Sequence, residues 1–223
     1  MCGRFSLSVT PEALARFVAL FALPAFGPRY NIAPLQAVGT IRLRAGKRTW
    51  QEVRWGIPAP PGNRFPRPVI NARAETLLSS PFFRTAVRSG RCLVPADGFY
   101  EWRAEGRRRV PVLFRRPGGE PFAIAALADR RPEGEATVEA CALVTCAPNA
   151  VVAPIHDRMP AILDPDAFET WLDPGVPSAV AARLLGPAPD ALLAPFPVSS
   201  RVNDAHHEGA DLWIPDPVRP GPA

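Results

Sequence analysis

The chain has 223 residues, 47% of them hydrophobic and 21% charged, which excludes a disordered or fibrous protein and suits one generous domain. Its net charge of +5 is a mild basic excess compatible with a polyanionic partner, and no apolar run reaches the roughly 20 residues that cross a membrane. The 29 prolines favour loops, turns and strand ends over long helices.

The opening MCGRF places Cys2 directly behind the initiator methionine. Aminopeptidases remove Met1 when the next residue is small, and removal leaves Cys2 with a free α-amine beside its thiol. Reference pKa values of about 7.7–8.0 and about 8.5 make both nucleophilic forms accessible near neutral pH. SVTPEALARFVALF then carries a helix start, with Thr10 as N-cap, Pro11 in the first turn and Leu14, Phe17, Val18 and Phe21 as its apolar face. AVGTIRLRAGKRTWQEVRWGI reads as a hairpin turning at AGK, and PAPPGNRFPRP as a proline-rich loop. VINARAETLLSSPFFRTAVRSG passes from a short extended piece into helical segments, followed by a strand over RCLVPADGFYEW. RVPVLFRRPGGEPFAIAALAD reads as a second hairpin around Pro117-Gly118-Gly119, and the run Arg107–Arg109 as a hairpin turn. TVEACALVTCAP is a strand, DPDAFETWLD and PSAVAARLLG are short helices, and residues 196–223 form an irregular tail with a strand near Val198. Strands and hairpins interspersed with helices, without βαβ alternation, predict an α+β fold over 1–223. A single domain is expected, with a largely antiparallel sheet, curved or closed into a partial barrel, flanked by short helices.

Four cysteines (Cys2, Cys92, Cys141 and Cys146) show neither a C-x-x-C pair nor metal-ligand spacing, so no metal or other cofactor is expected. Cys92 and Cys141 lie in apolar strand-like stretches that suit buried free thiols. No charged-then-apolar leader opens the chain, and a cleaved one would displace Cys2 from the terminus; an intracellular, cytoplasmic setting is expected. Lys47 is the only lysine, so 25 of the 26 cationic residues are arginine. Amine chemistry on an aldehyde then has almost no candidate besides the α-amine of Cys2.

Three further stretches hold groups able to work with that residue. His156 lies in the proline-bracketed PIHDRMP, Glu101 follows aromatic positions in PADGFYEW, and Asn71 and Arg73 alternate in INARAET, on one face of an extended segment. Each has a plainer reading: a solvated loop histidine, an exposed strand glutamate, a helix N-cap by Asn71.

The blocks MCGRF, RYNIAP, INARAET, RCLVPADGFYEW, APIHDRMP and PVSSRVND occur in this order across nearly the whole chain. Together they resemble the signature blocks of the SOS-response-associated peptidase family, which shields abasic sites in single-stranded DNA. The resemblance implies a covalent crosslink between the mature N-terminal cysteine and the abasic-site aldehyde, with lyase and autoproteolytic activity attached. It implies that Glu101 shuttles protons, His156 assists sugar ring opening and stabilises the imine stage, and Asn71 holds the α-amine or the thiazolidine nitrogen. Arg4, Arg73 and Arg158 adjoin these residues and are the expected phosphate contacts; Trp102 or Trp55 would stack on flanking bases. The expected partner is single-stranded DNA containing abasic sites, bound by a monomer, with no membrane. Three departures stand out: IPAPPGNRFPRP lacks the tryptophan with which the family wedges DNA, AALAD replaces a Gly-Leu-Trp-Glu block, and NDAHHEG brings His206 and His207 into a polar stretch, where they are not expected to bind metal.

Two other classes remain open on the residues alone. One is an N-terminal-nucleophile hydrolase, either a peptidase or a glutamine amidotransferase, since MCG also opens many of the latter; nothing resembles their glutamine-binding blocks. The other is a non-catalytic single-stranded DNA-binding module in which Cys2 is incidental.

Overall fold

The computed structural model describes residues 2–59 and 67–217. Strand β1 (Phe5–Leu7) leads into helix α1 (Pro11–Val18), capped by the Thr10 hydroxyl, which accepts from the Ala13 amide. Leu14 and Val18 are buried as expected, but the helix ends at Val18 and Phe21 is 65% exposed, with the Lys47 ammonium 3.7 Å from its ring. β2 (Arg29–Ile32) follows, then the expected hairpin of β3 (Ala37–Arg44) and β4 (Lys47–Trp55). Ala45 and Gly46 turn it with positive φ at both positions, the two-residue turn that matches strand twist.

β5 (Asn71–Arg73), a pair of 3₁₀ turns and α2 (Arg84–Ser89) lead to β6 (Arg91–Ala96). The stretch RCLVPADGFYEW is two strands, not one: β6 ends at Ala96 and β7 begins at Gly98 (Gly98–Glu105). Asp97 makes the break, accepting from the Ser6 hydroxyl at 2.7 Å, the Ser8 hydroxyl at 2.6 Å and the Val9 amide at 3.1 Å. Its carboxylate pins the end of β1 and turns the chain from one sheet into the other.

β7 pairs with β8 (Arg108–Arg115), so Arg107 does sit in a hairpin turn. β9 (Phe122–Glu133) and β10 (Ala136–Cys146) form a long hairpin. The expected hairpin around Pro117-Gly118-Gly119 is a correction: β8 pairs with β7 and with β13 (Ala194–Pro197), and β9 belongs to the other sheet. The turn signal there is real, but it joins two sheets. β11 (Met159–Pro160), β12 (Ile162–Leu163), α3 (Phe168–Leu172) and α4 (Ser178–Ala182) complete the elements.

β10, β4, β3, β6 and β9 pair in that order and β9 pairs back onto β10, so five strands close a barrel. All but one of its ladders are antiparallel; β4 joins β10 in parallel, and β5 lies parallel to the far end of β10. The second sheet runs β13-β8-β7-β1-β2. β6 is buried at every position, and its first residue, Arg91, is 4% exposed. The Arg91 guanidinium donates to the carbonyls of Val87, Trp171, Asp173 and Val176, stapling the barrel to α3 and the segment before α4.

Candidate active site

Cys2 enters the site through the register of β1 on β7. Phe5 lies opposite Phe99 and the Tyr100 amide donates to the Arg4 carbonyl at 3.0 Å, which carries residues 2–4 alongside Glu101. Cys2 is fully buried, and its Sγ lies 3.9 Å from the Arg4 carbonyl oxygen. Burial, then the nearby Glu101 carboxylate, pushes the thiol far above its ordinary range. This corrects the expectation of an accessible thiolate at neutral pH: the resting sulfur is a neutral thiol.

Glu101 is the acidic group whose charge reaches the Cys2 thiol. It lies in mid-strand on β7 opposite Val112, 2% exposed, so it is neither a strand end nor a solvated residue. Burial, supported by the negative charge of Asp157, raises its carboxyl to about 7. His156 Nε2 stands 3.7 Å from Glu101 Oε2. The Arg158 amide donates to His156 Nδ1 at 3.0 Å, which leaves the proton of the neutral ring on Nε2, facing Glu101. Asp157 Oδ1 also lies 3.0 Å from Nδ1 and favours the charged ring, but burial outweighs it and the ring's pKa is lowered.

Asn71 comes from the parallel pairing of β5 on β10, where it lies opposite Leu143. It is a strand residue and not a helix cap. Its Nδ2 donates to the Cys2 carbonyl at 2.9 Å, and its buried Oδ1 has no hydrogen-bond partner among the described residues. An unmet buried acceptor beside Cys2 is suited to an N–H that arrives during a reaction.

The expected phosphate contacts fall into different environments. Arg73 is exposed. Arg158 is held by Glu75 in a two-pronged ion pair at 2.8 and 2.9 Å and donates to the Thr145 carbonyl at 2.7 Å. Arg4 Nη1 is engaged inward, 2.6 Å from both Asn31 Oδ1 and the Val202 carbonyl. Trp102 is half-buried, donates to Asn203 Oδ1 at 2.6 Å and lies under Arg4, 5.9 Å from ring centre to guanidinium. Trp55 belongs to the core: it is fully buried, donates to the Ile70 carbonyl and packs on Phe5, so it offers no stacking face. Of the tryptophan-free stretch after Gly56, residues 60–66 lie outside the described residues. His206 and His207 bond to Asp204 Oδ1 and the Arg201 carbonyl. Among the described residues no group of three histidine, cysteine, aspartate or glutamate side chains converges to hold a metal ion.

Sequence reasoning missed Asn31, Glu75 and Val202, which orient Arg4 and Arg158. Their signal was present, since Asn31 and Val202 lie inside RYNIAP and PVSSRVND and Glu75 inside INARAET. It also missed Arg109, whose positive charge bears on His156 from the β8 side.

The residues at 2, 71, 101 and 156 thus come together, Cys2 and Glu101 buried and Asn71 and His156 half-buried, and comparison with known proteins gives the chain a family. The model of the SOS response associated peptidase (SRAP) family matches residues 1–205. The chain belongs to this family. Among SRAP relatives, it is 34% identical to the abasic site processing protein YoqW of Bacillus subtilis, over 95% of this chain and 98% of that one. It is 33% identical to the abasic site processing protein YedK of Escherichia coli, over 96% and 100%. A phage-related protein of Bordetella bronchiseptica shares the fold at a TM-score of 0.73 and 30% identity, covering 89% and 95%. A protein of Bacteroides thetaiotaomicron matches in fold at a TM-score of 0.80, covering 96% and 100%.

Proposed function

We propose that this chain processes abasic sites in single-stranded DNA by trapping the lesion's aldehyde on Cys2 once Met1 has been removed. The observation that carries the reading is the meeting of Cys2 with Asn71, Glu101 and His156, from four separate parts of the chain. The names of the relatives support the substrate class.

The chemistry balances with these residues alone. The ring-opened deoxyribose is an aldehyde; the Cys2 α-amine adds to its carbon, and loss of water leaves an imine. The thiol then adds across the C=N bond, sulfur bonding to carbon and the proton going to nitrogen, which closes a five-membered thiazolidine. Only an N-terminal cysteine offers both nucleophiles at that spacing. Ring opening, dehydration and thiol addition each move a proton, and a carboxyl near pKa 7 can both accept and return one. In this scheme Glu101 takes the proton of the amine or thiol and delivers it to the departing water. His156, holding its proton on Nε2, donates to the sugar oxygen as the ring opens. Asn71 Oδ1 accepts from the nitrogen of the adduct while Nδ2 keeps the Cys2 carbonyl in place.

DNA is held without regard to base sequence, as a lesion that occurs anywhere requires. Arg73 is the first phosphate contact because it is exposed; Arg4 adds charge from its anchored position, Arg158 contributes as far as its pairing with Glu75 allows, and Trp102 offers an apolar edge.

The test is incubation of the Met1-free protein with single-stranded DNA carrying one abasic site, followed by a denaturing gel. A crosslinked band is expected that disappears for Cys2→Ala and when a residue is left ahead of Cys2. A crosslink that survives Cys2→Ala overturns the proposal. Release of ammonia from glutamine, or cleavage of an offered peptide without a crosslink, would favour the hydrolase class instead, and reversible binding alone the non-catalytic module.

A further inference from the structure

The barrel has a second mouth, away from Cys2. β10 leads from Glu139 at this end to Leu143, the partner of Asn71, four residues or about 13 Å further on. Here lies a cavity of about 850 Å³, within the range of small-molecule sites. Its polar lining comes from four strands that follow one another around the barrel, β3, β4, β10 and β9. Arg42 of β3 donates to Glu139 of β10 at 2.7 Å across the width of β4, and Gln51 of β4 meets the same carboxylate at 2.8 Å. Arg44 donates to Gln51 Oε1, and Arg130 lies directly opposite Glu139 on the β9–β10 ladder.

The charges at this mouth do not cancel. Asp129 is taken up by Arg131 at 2.8 Å, which leaves Glu139 facing Arg42, Arg44 and Arg130. Nη1 of Arg42 reaches Glu139, but its buried Nε and Nη2 have no acceptor among the described residues, so one carboxylate serves a guanidinium that remains under-compensated. Arg44 and Arg130 are exposed, and among the described residues Arg44 is held only by its bond to the neutral Gln51 amide. The excess is two positive charges, which a carboxylate would half-cancel and a phosphate monoester, close to a dianion at neutral pH, would match. Paired guanidinium forks also fit phosphate oxygens in a way ammonium groups do not.

We propose that this mouth of the barrel is a binding site for a phosphate monoester of nucleotide size, seated between Arg44 and Arg130 above the Arg42–Glu139 pair. Nothing in the reaction at Cys2 requires it, so the site stands or falls independently. Two sources carry the same chemistry, a free nucleotide and the phosphorylated end of a DNA strand.

Calorimetric titration with deoxyadenosine 5′-monophosphate tests it, with deoxyadenosine as the control that lacks only the phosphate. Binding of the monophosphate alone is expected, weakened about tenfold or more in Arg44→Gln and in Arg130→Gln. Both are surface changes, and both variants should crosslink abasic DNA at the unaltered rate. An oligonucleotide titrated with and without a 5′-phosphate identifies the source: a phosphate-dependent gain that Arg130→Gln abolishes assigns the site to strand ends, and its absence assigns it to free nucleotides. Equal binding of deoxyadenosine and its monophosphate, no binding of either, or binding indifferent to both arginine changes would overturn the site.

Discussion

Glu101 is caught between burial and charge, and its behaviour with pH follows from that conflict. Its carboxyl titrates at about 7 in the folded protein against an ordinary value of 4.5, so the fold holds the proton more tightly than the unfolded chain does. Stability therefore falls as pH rises from 4.5 towards 7 and is flat above, the reverse of a salt-bridged carboxylate. Glu101→Gln removes this slope. The variant is expected to gain up to about 3 kcal/mol relative to the parent between pH 4 and pH 8, read as a converging pair of melting temperatures at low pH. A difference that does not change with pH would mean that Glu101 does not titrate in this range. The same change should slow crosslinking by roughly a hundredfold or more, because the shuttle is gone while the fold remains; an unaltered rate would remove Glu101 from the mechanism.

At the scale of elements, β6 is held at its start by one arginine. Arg91 gives its fork to four carbonyls that terminate α2, α3 and the turn before α4, and it lies over the Trp171 ring. A lysine keeps the charge but cannot reach four acceptors from one nitrogen. Arg91→Lys is expected to cost about 2–3 kcal/mol, a fall in melting temperature of about 5–10 °C. A melting temperature within a degree of the parent would mean that water serves those carbonyls equally well. This staple was invisible in RCLVPADGFYEW, where Arg91 reads as a polar residue ahead of a strand, because three of its four partners lie 80 to 85 residues downstream. The β8–β9 connection failed for a related reason. Pro117-Gly118-Gly119 reports a turn, and a turn says nothing about whether the strands on either side pair.

For the whole molecule, the segment after β13 is a structural clamp despite its irregular backbone. Val202 receives Arg4, the carbonyls of Asp204 and His207 receive Asn31, and Trp213 donates to the Tyr100 hydroxyl at 2.7 Å. Ending the chain at Val198 would strip Arg4 and Asn31 of these acceptors at once. Loss of crosslinking together with a less cooperative thermal transition is expected; a truncated chain that melts and crosslinks like the parent would refute the clamp. The net charge of +5 acts at this scale too. Arg73→Ala should weaken binding to single-stranded DNA of any sequence and lower the salt slope by about one phosphate contact. An unchanged slope would take Arg73 out of the interface.

The α+β class, the β3–β4 hairpin, the Thr10 cap and the motifs that carry Cys2, Asn71, Glu101 and His156 are all legible along the chain. Those are carried by local periodicity, local turn chemistry and ordered motifs, all of which can be read along the chain. Closure of the barrel becomes visible in three dimensions alone, because it rests on β9 and β10 pairing with each other while β4 meets β10 in parallel, which no local pattern records. The same holds for the protonation of the site. The sequence suggested a reactive thiol at its reference pKa, but burial makes Cys2 a neutral thiol and Glu101 a group poised near neutrality, since the cost of charge depends on what surrounds it in space.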